Sequence, residues 1–569
     1  MFGITWVDWL VLVVYLAGIT VIGTWAARRV KSAATFFISD RRFGKLFMAF
    51  FAFGSGTHSD QAVTVAAKTY HVGASGIWYQ WLWLFVTPFY WLIAPLFRRM
   101  RAITTSDFFE ARYDRSVGVL FALVGMLQLM VNIGLMLRGS SAMISAVSGH
   151  AINPDLAIAA MTILFVIYGV AGGLAAAITT DFVQGLLTIV LSFLILPFAL
   201  SAVGGMAGLR TTIDDPDMFS IVAPGEINAF YISVIAFNAL IGFAAQPHSM
   251  ALCGAGKTEF ESRFGLTLGI FLKRFCTVAW MLTGLCAVAL YAGTDVHQDL
   301  IYGLMAHDLL PQIAPGLVGL FIAAVLASVM SSCDAFMVSS SALFTENVYR
   351  PFLGPGRSDR HYMHVGRIVS VAVVACGILF AYLLESVVTG LEIFWKMSAM
   401  MGVAFWVGLF WRRATVAGAW AGTLVGFCTL LFTSRIDLIG WDFNARFAQH
   451  LPAFMLWEGE LYLHWQMILY LTTGFVSLVA VSLLTRPVAG DKLDRLYLCL
   501  RTPVDAKEPE TKPFTLPENV SPAPRRTLID HPDFELPRPT LISIIGFLGA
   551  WGLVGLMLAL VYWIVSLGQ

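Results

Sequence analysis

Three short stretches of an otherwise apolar chain carry side chains that could do chemistry. FGSGTHSDQ places Gly54, Gly56, His58, Ser59 and Asp60 near the middle of one apolar run, and GFAAQPHSM places Gly242, Gln246, Pro247 and His248 in another. A third run holds Ser328, Ser331 and Ser332 at i, i+3 and i+4, which is one face of a helix. Histidine, aspartate and serine are the residue types of a hydrolase, yet no nucleophile elbow and no paired metal motif accompanies them. The second chemistry is coordination. Sodium is a hard cation served by neutral and carboxylate oxygens; an interrupted helix offers free carbonyls, and hydroxyls from a facing helix complete the shell. Plainer accounts compete with both: kinks in packed helices for the first two stretches, and serines bonded back to their own backbone for the third.

The elements that must position these residues are membrane helices. Of 569 residues, 58% are hydrophobic and 12% charged, against about 25% charged in a soluble domain, which excludes a water-soluble globule. The net charge of +1, from 36 basic and 35 acidic side chains, speaks against nucleic acid as a partner. Seven cysteines lack any spacing that would hold zinc or haem. Apolar runs of spanning length predict an all-α polytopic membrane protein with about 14 transmembrane helices. The first run has no basic flank before Arg28 and reads as a retained span rather than a signal peptide.

Lysine and arginine fall thirty on one set of alternate loops and four on the other. That asymmetry predicts a protein of the cell membrane with both termini extracytoplasmic. The two basic residues left over, Arg138 and Lys396, lie inside spans. Residues 485–538 are rich in Pro, Glu, Lys and Arg and are expected to form a cytoplasmic polar linker with little fold of its own, leaving the sequon at Asn519 unused. The two interrupted runs, near 44–67 and 229–251, lie five spans apart, which is the sequence pointer to an inverted-repeat transporter.

Residues 168–184 read YGVAGGLAAAITTDFVQ, which resembles the signature of the sodium/solute symporter family. SDQ at Ser59 to Gln61, GFAAQPH at Gly242 to His248, ASVMSS at Ala327 to Ser332 and GLFWRRATVAGAWAG at Gly408 to Gly422 are similar to further family stretches, and the late isolated span resembles the sodium/glucose cotransporter branch. The resemblance implies a 5+5 inverted-repeat core of the leucine-transporter type. It divides the chain into a first helix and loop (1–43), a ten-helix transport core (44–410), two accessory helices (411–484), the linker (485–538) and a C-terminal helix (539–569).

By the family pattern, the carbonyls of Gly54, Thr57 and Ser328 and the hydroxyls of Ser331 and Ser332 would hold Na+. Asp181 matches the carboxylate that several members use for a second cation. The sequence departs from the pattern at Asp334 and Ala335, where such members usually carry hydroxyls. Asp334 would give a tighter Na+ site, or a proton site if the two acids share a proton, or would pair with a basic group.

The solute pocket is expected between the broken helices, with His58, Asp60, Gln61, Gln246 and Lys273 as candidate contacts. Gln61 and Lys273 match positions of sugar symporters, whereas Ala245 and Ile393 replace an asparagine and a glutamine of the sugar pocket. Arg138 would either clamp an anionic solute or snorkel to the interface. Lys396, at i+4 from Glu392, is expected in a helical ion pair. Together these imply no enzyme but a Na+-coupled symporter, with H+ as an alternative coupling ion, working by alternating access in a lipid bilayer. Its solute would be small, polar and organic; a sugar or polyol is favoured, and a sugar acid or amino acid is admitted. The alternative is a transporter-like solute sensor acting through a partner protein.

Overall fold

Lipid offers the backbone no hydrogen-bond partner, so the apolar runs fold as helices that satisfy their own amides. A computed structural model describes residues 4–28, 36–37, 43–223, 225–436, 439–505, 512–518 and 520–568. Arg29, Lys31, Arg41, Arg42 and the sequon residue Asn519 lie outside the described residues.

The helices are α1 (Trp6–Ala27), α2 (Lys45–Gly54), α3 (Ser59–Val72), α4 (Thr87–Met100), α5 (Arg115–Val147), α6 (Pro154–Phe193), α7 (Ala229–Phe243) and α8 (Ser249–Gly254). They continue with α9 (Glu259–Leu290), α10 (Leu317–Phe344), α11 (Asp359–Leu383), α12 (Val387–Phe410), α13 (Val416–Phe432), α14 (Leu463–Leu484), α15 (Gly490–Arg501) and α16 (Leu541–Ser566). Short helical turns join several of them. Gly173, with φ +52° and ψ −150°, breaks the helical path inside α6, so that two helices run end to end there.

Among the described residues, nine helices are long and apolar enough to cross a membrane alone, and four apolar helices are shorter. The expected fourteen spans are therefore not matched helix for helix. Both interrupted runs are split as their glycine and proline content requires: residues 55–58 separate α2 from α3, and residues 244–248 separate α7 from α8. A further difference from an all-helical chain is the 435–462 loop, which carries two small antiparallel ladders, Arg435–Ile436 on Trp441–Asp442 and Leu456–Trp457 on Glu460–Leu461.

The broken pair α2 and α3 packs along α9 on one side, while the end of α2 meets α6 and α10 on the other. Close approach depends on small residues. A Cβ on Gly265 would fall 2.4 Å from the Met48 Cβ, and one on Gly269 would fall 2.4 Å from the Ala49 carbonyl oxygen. The same α9 carries Lys273 and Arg274 near its middle, both buried. They are not loop charges, as the loop-by-loop count assumes, and the asymmetry on that side shrinks by two while keeping its sign.

Residues 485–538 also depart from expectation. Leu493, Leu496, Tyr497 and Leu500 form the buried face of α15. Beyond it the chain makes a strap held by backbone bonds to helix ends: Phe514 N–H donates to the Met100 carbonyl (2.9 Å), and Glu535 N–H donates to the Phe410 carbonyl (2.9 Å). A proline-rich stretch reads as a linker because such pairings are with partners far away in sequence.

The first helix is tied to the centre by one buried carboxylate. Asp8 Oδ2 accepts from the Thr5 amide (2.8 Å) and Oδ1 accepts from the Gly319 amide of α10 (2.7 Å). Replacing Asp8 by Ala strands that buried amide and removes one half of the capping box with Thr5, at a cost of about 1–3 kcal/mol. A lowered thermal midpoint of the detergent-purified Asp8→Ala variant is the expected result, and an unchanged midpoint contradicts it.

Candidate functional site

Two of the carbonyls freed between α2 and α3, those of Gly54 and Gly56, meet donors from neighbouring helices and from the break itself. Gly54 O accepts from Ser332 Oγ of α10 (3.0 Å) and from the Thr57 amide (3.3 Å). Gly56 O accepts from Lys273 Nζ of α9 (2.5 Å) and from Gln61 Nε2 (3.2 Å). Inside a membrane an unanswered carbonyl costs several kcal/mol, so these donors make the unwinding possible.

One cluster of oxygens forms where α2, the second half of α6 and α10 converge. Ser331 Oγ donates to Asp181 Oδ1 (2.5 Å), beside Ser332 Oγ on the Gly54 carbonyl. The Thr57 hydroxyl is buried with no partner among the described residues, and so is Asp181 Oδ2. Carbonyl, hydroxyl and carboxylate oxygens packed this closely are the donor set of a hard cation. Ser328 lies on the same helix, and its hydroxyl donates back to Val325 O (3.1 Å).

Asp334 sits one turn from Ser331, fully buried, against the first half of α6. A Cβ on Gly169 would stand 2.5 Å from Asp334 Oδ1, so glycine there makes room for the carboxylate. Asp181 and Asp334 are near enough to act on each other electrostatically.

Both breaks border one cavity. His58, Gln61, Gln246, His248 and Lys273 line it, with Trp83, Asn132, Arg274 and Phe336. Asp60 reaches it only through His58: Asp60 Oδ1 pairs with His58 Nδ1, and His58 Nε2 stands 2.9 Å from Gln61 Nε2. A carboxylate at Nδ1 places the proton there, so Nε2 accepts from the Gln61 amide. Both ring nitrogens are thereby engaged. Ser59 Oγ bonds Ser140 Oγ instead (2.6 Å), so the His, Asp and Ser of this stretch do not form a nucleophile relay. Phe336 of α10 lies between the two histidines, its ring centroid 6.4 Å from that of His58 and 4.7 Å from that of His248.

Three candidates fall elsewhere. Arg138 is not among the residues lining the cavity; its charge acts on Asp299, in the loop before α10. Burial pushes the Asp299 carboxyl above its ordinary range, while the Val387 amide, His297 and Arg138 pull it down. Glu392 accepts from Tyr79 OH (2.9 Å), and among the described residues no ion pair joins it to Lys396. Ile393 is exposed, and the cavity wall is made by Leu391 and Phe394 beside it.

Asn132 and Arg274 were missed by the sequence argument as site residues. Asn132 gave a signal, an amide in the long apolar run of α5. Arg274 was hidden because it adjoins Lys273 and looks like part of a basic loop. In the structure Arg274 Nη1 donates to Gln80 O (2.9 Å) and its Nε has no partner among the described residues.

The family model for the Sodium:solute symporter family matches residues 36–426, more than half of the chain, and the chain belongs to that family. It is a sodium-coupled transporter and a multi-pass membrane protein, not an enzyme. It is 22% identical over 474 residues to the sodium/glucose cotransporter of Vibrio parahaemolyticus, covering 77% of this chain and 86% of that one. It is 26% identical over 437 residues to the osmoregulated proline transporter OpuE of Bacillus subtilis, covering 74% and 87%. A solved structure of a Na+-coupled sialic acid symporter in a substrate-bound outward-open state has the same fold, with a TM-score of 0.72 at 21% identity, covering 86% of this chain and 100% of that one. All three are transporters, which lends the solute-sensor alternative no support.

The oxygen cluster tolerates no side chain on Gly54. A Cβ there would stand 2.7 Å from Ser331 Oγ and 3.5 Å from the Asp181 Cβ. Gly54→Ala should therefore raise the Na+ concentration for half-maximal uptake about tenfold or more, equivalent to about 1.4 kcal/mol. Unchanged Na+ activation in a normally folded variant contradicts the assignment.

Proposed function

We propose that the protein imports a small polyhydroxyl solute, a sugar or polyol, across the cell membrane in symport with Na+. The observation that carries this reading is the adjacency of an oxygen cluster and a polar cavity across one broken helix. Gly54 faces the cluster; Gly56 and Gln61, a few residues on, face the cavity. Occupation of the one is then felt by the other through the same unwound backbone, which is the coupling an alternating-access symporter needs.

Na+ would take the carbonyls of Gly54, Thr57 and Ser328 and the hydroxyls of Ser331 and Ser332. Asp181 with Asp334 would hold a second cation, Na+ or H+. A 5+5 inverted repeat, with the split segments as corresponding first helices, accounts for their spacing of five spans. The charge asymmetry of the loops supports a cytoplasmic basic face and extracytoplasmic termini.

The solute class follows from the cavity's open valences. Gln61 Oε1, Asn132 Oδ1 and His248 Nδ1 are buried without partners among the described residues, and so is Arg274 Nε. Acceptors and a donor lining one cavity suit hydroxyl groups, which both give and take hydrogen bonds. A sugar acid or amino acid is the second reading, favoured by the Lys273 and Arg274 charges in the same lining. One Na+ moving through about 100 mV supplies roughly 2.3 kcal/mol, and a tenfold gradient adds about 1.4. Together they sustain roughly 500-fold accumulation of a neutral solute.

The test is uptake by proteoliposomes under an inward Na+ gradient, across neutral sugars and polyols, sugar acids and amino acids. A neutral polyhydroxyl solute should accumulate with Na+ and not with K+, and replacing both Ser331 and Ser332 by Ala should abolish the Na+ dependence. Accumulation of amino acids alone would overturn the solute class, and Na+ activation retained by the double variant would overturn the ion site.

A further inference from the structure

A second cavity lies at the basic face, away from the transport path. It sits where α4 and α12 end and where the strap returns to α16. Leu96, Leu409 and Leu500 give it apolar walls, and Arg501, Arg525 and Arg526 give it a basic rim.

The charges there do not balance. Glu535 is the one acidic group on the lining, and it is already divided between Arg412 Nη1 (2.8 Å) and Arg525 Nε (3.3 Å). Arg525 is fixed in place by the carbonyls of His531 (2.7 Å) and Phe534 (2.9 Å). Arg501 Nε is buried and has no partner, and the Arg526 side chain makes no hydrogen bond, both among the described residues. The carbonyls that would repel an anion at the two helix ends are also covered, since Met100 O and Phe410 O accept from the Phe514 and Glu535 amides.

Two guanidiniums left open beside a third, held one, match the oxygens of a phosphate group, which planar Arg binds through paired hydrogen bonds. The position selects the source. The cavity lies where α4 and α12 end, on the side where the loops are basic, and α16 begins a few residues beyond Pro537 of its lining with exposed Leu541, Ile542 and Ile545. An amphiphile could place its phosphate on the arginines and its chains along that apolar surface.

We propose that this cavity is a binding site for the phosphate headgroup of an anionic phospholipid, which fastens the strap to the membrane. It is independent of which solute the protein carries. The test is mass spectrometry of the intact, full-length protein after equilibration with equal amounts of phosphatidylglycerol and phosphatidylcholine. Phosphatidylglycerol should be retained about twentyfold or more over phosphatidylcholine, and Arg501→Gln with Arg526→Gln should cut that retention roughly 25-fold, since each of the two basic groups near a surface is worth about a factor of five. Arg357→Gln with Arg360→Gln, exposed on the same face, should leave retention unchanged, and the thermal midpoint of each variant checks its folding. Equal retention of the two lipids overturns the site, as does equal loss in both double variants. Displacement of phosphatidylglycerol by a millimolar excess of inorganic phosphate overturns the lipid assignment in favour of free phosphate, and resistance to it supports the lipid.

Discussion

Everything in this transporter hangs on backbone carbonyls exposed by unwinding a helix at bilayer depth. No water is at hand in lipid to answer them, so the protein must supply donors or a cation. Between α2 and α3 it does so with Ser332 and Lys273, brought from two different helices onto the carbonyls of Gly54 and Gly56. The second break is closed in the same way, with Thr105 Oγ1 donating to the Pro247 carbonyl (3.0 Å). Helices that carry these donors are thereby tied to the breaks, and the order of packing around α9 and α10 follows.

The same constraint explains why the proposed ion and solute sites are neighbours. A carbonyl turned out of a helix can face only one side, and two residues of the break face different ones. Gly54 looks to the serines and Asp181; Gly56 looks to Lys273 and the cavity. A cation drawing on Gly54 must compete with Ser332 for it, so binding rearranges hydrogen bonds that also hold α10 against α2. Such an exchange gives the ion differential contacts in two arrangements, which is the requirement for shifting a conformational equilibrium.

How much of this was legible in the sequence depended on whether a residue was conspicuous against lipid. Glycine, histidine and aspartate within an apolar run have no place on a lipid-facing helix, so the first break could be read directly, and Pro247 with His248 marked the second. The serines of α10 were legible from helical spacing. Lys273 and Arg274 were half legible, because hydropathy does not distinguish a cation in a loop from one whose charge is met by the carbonyls of Gly56 and Gln80. Local rules failed where a distant partner won: Glu392 bonds Tyr79 rather than Lys396 four residues on, and the strap is held at Phe514, Asp533 and Glu535 by Met100, Arg412 and Phe410.

The central claim is that Na+ binds at the first break, on the end of α2 and the middle of α10. Backbone hydrogen exchange of residues 51–61 and 325–335 in sodium chloride and in equal potassium chloride tests it most directly. At sodium concentrations of ten times the dissociation constant, exchange in both segments should slow by about tenfold, with α13 and α14 unaffected. Identical exchange in the two salts would contradict it.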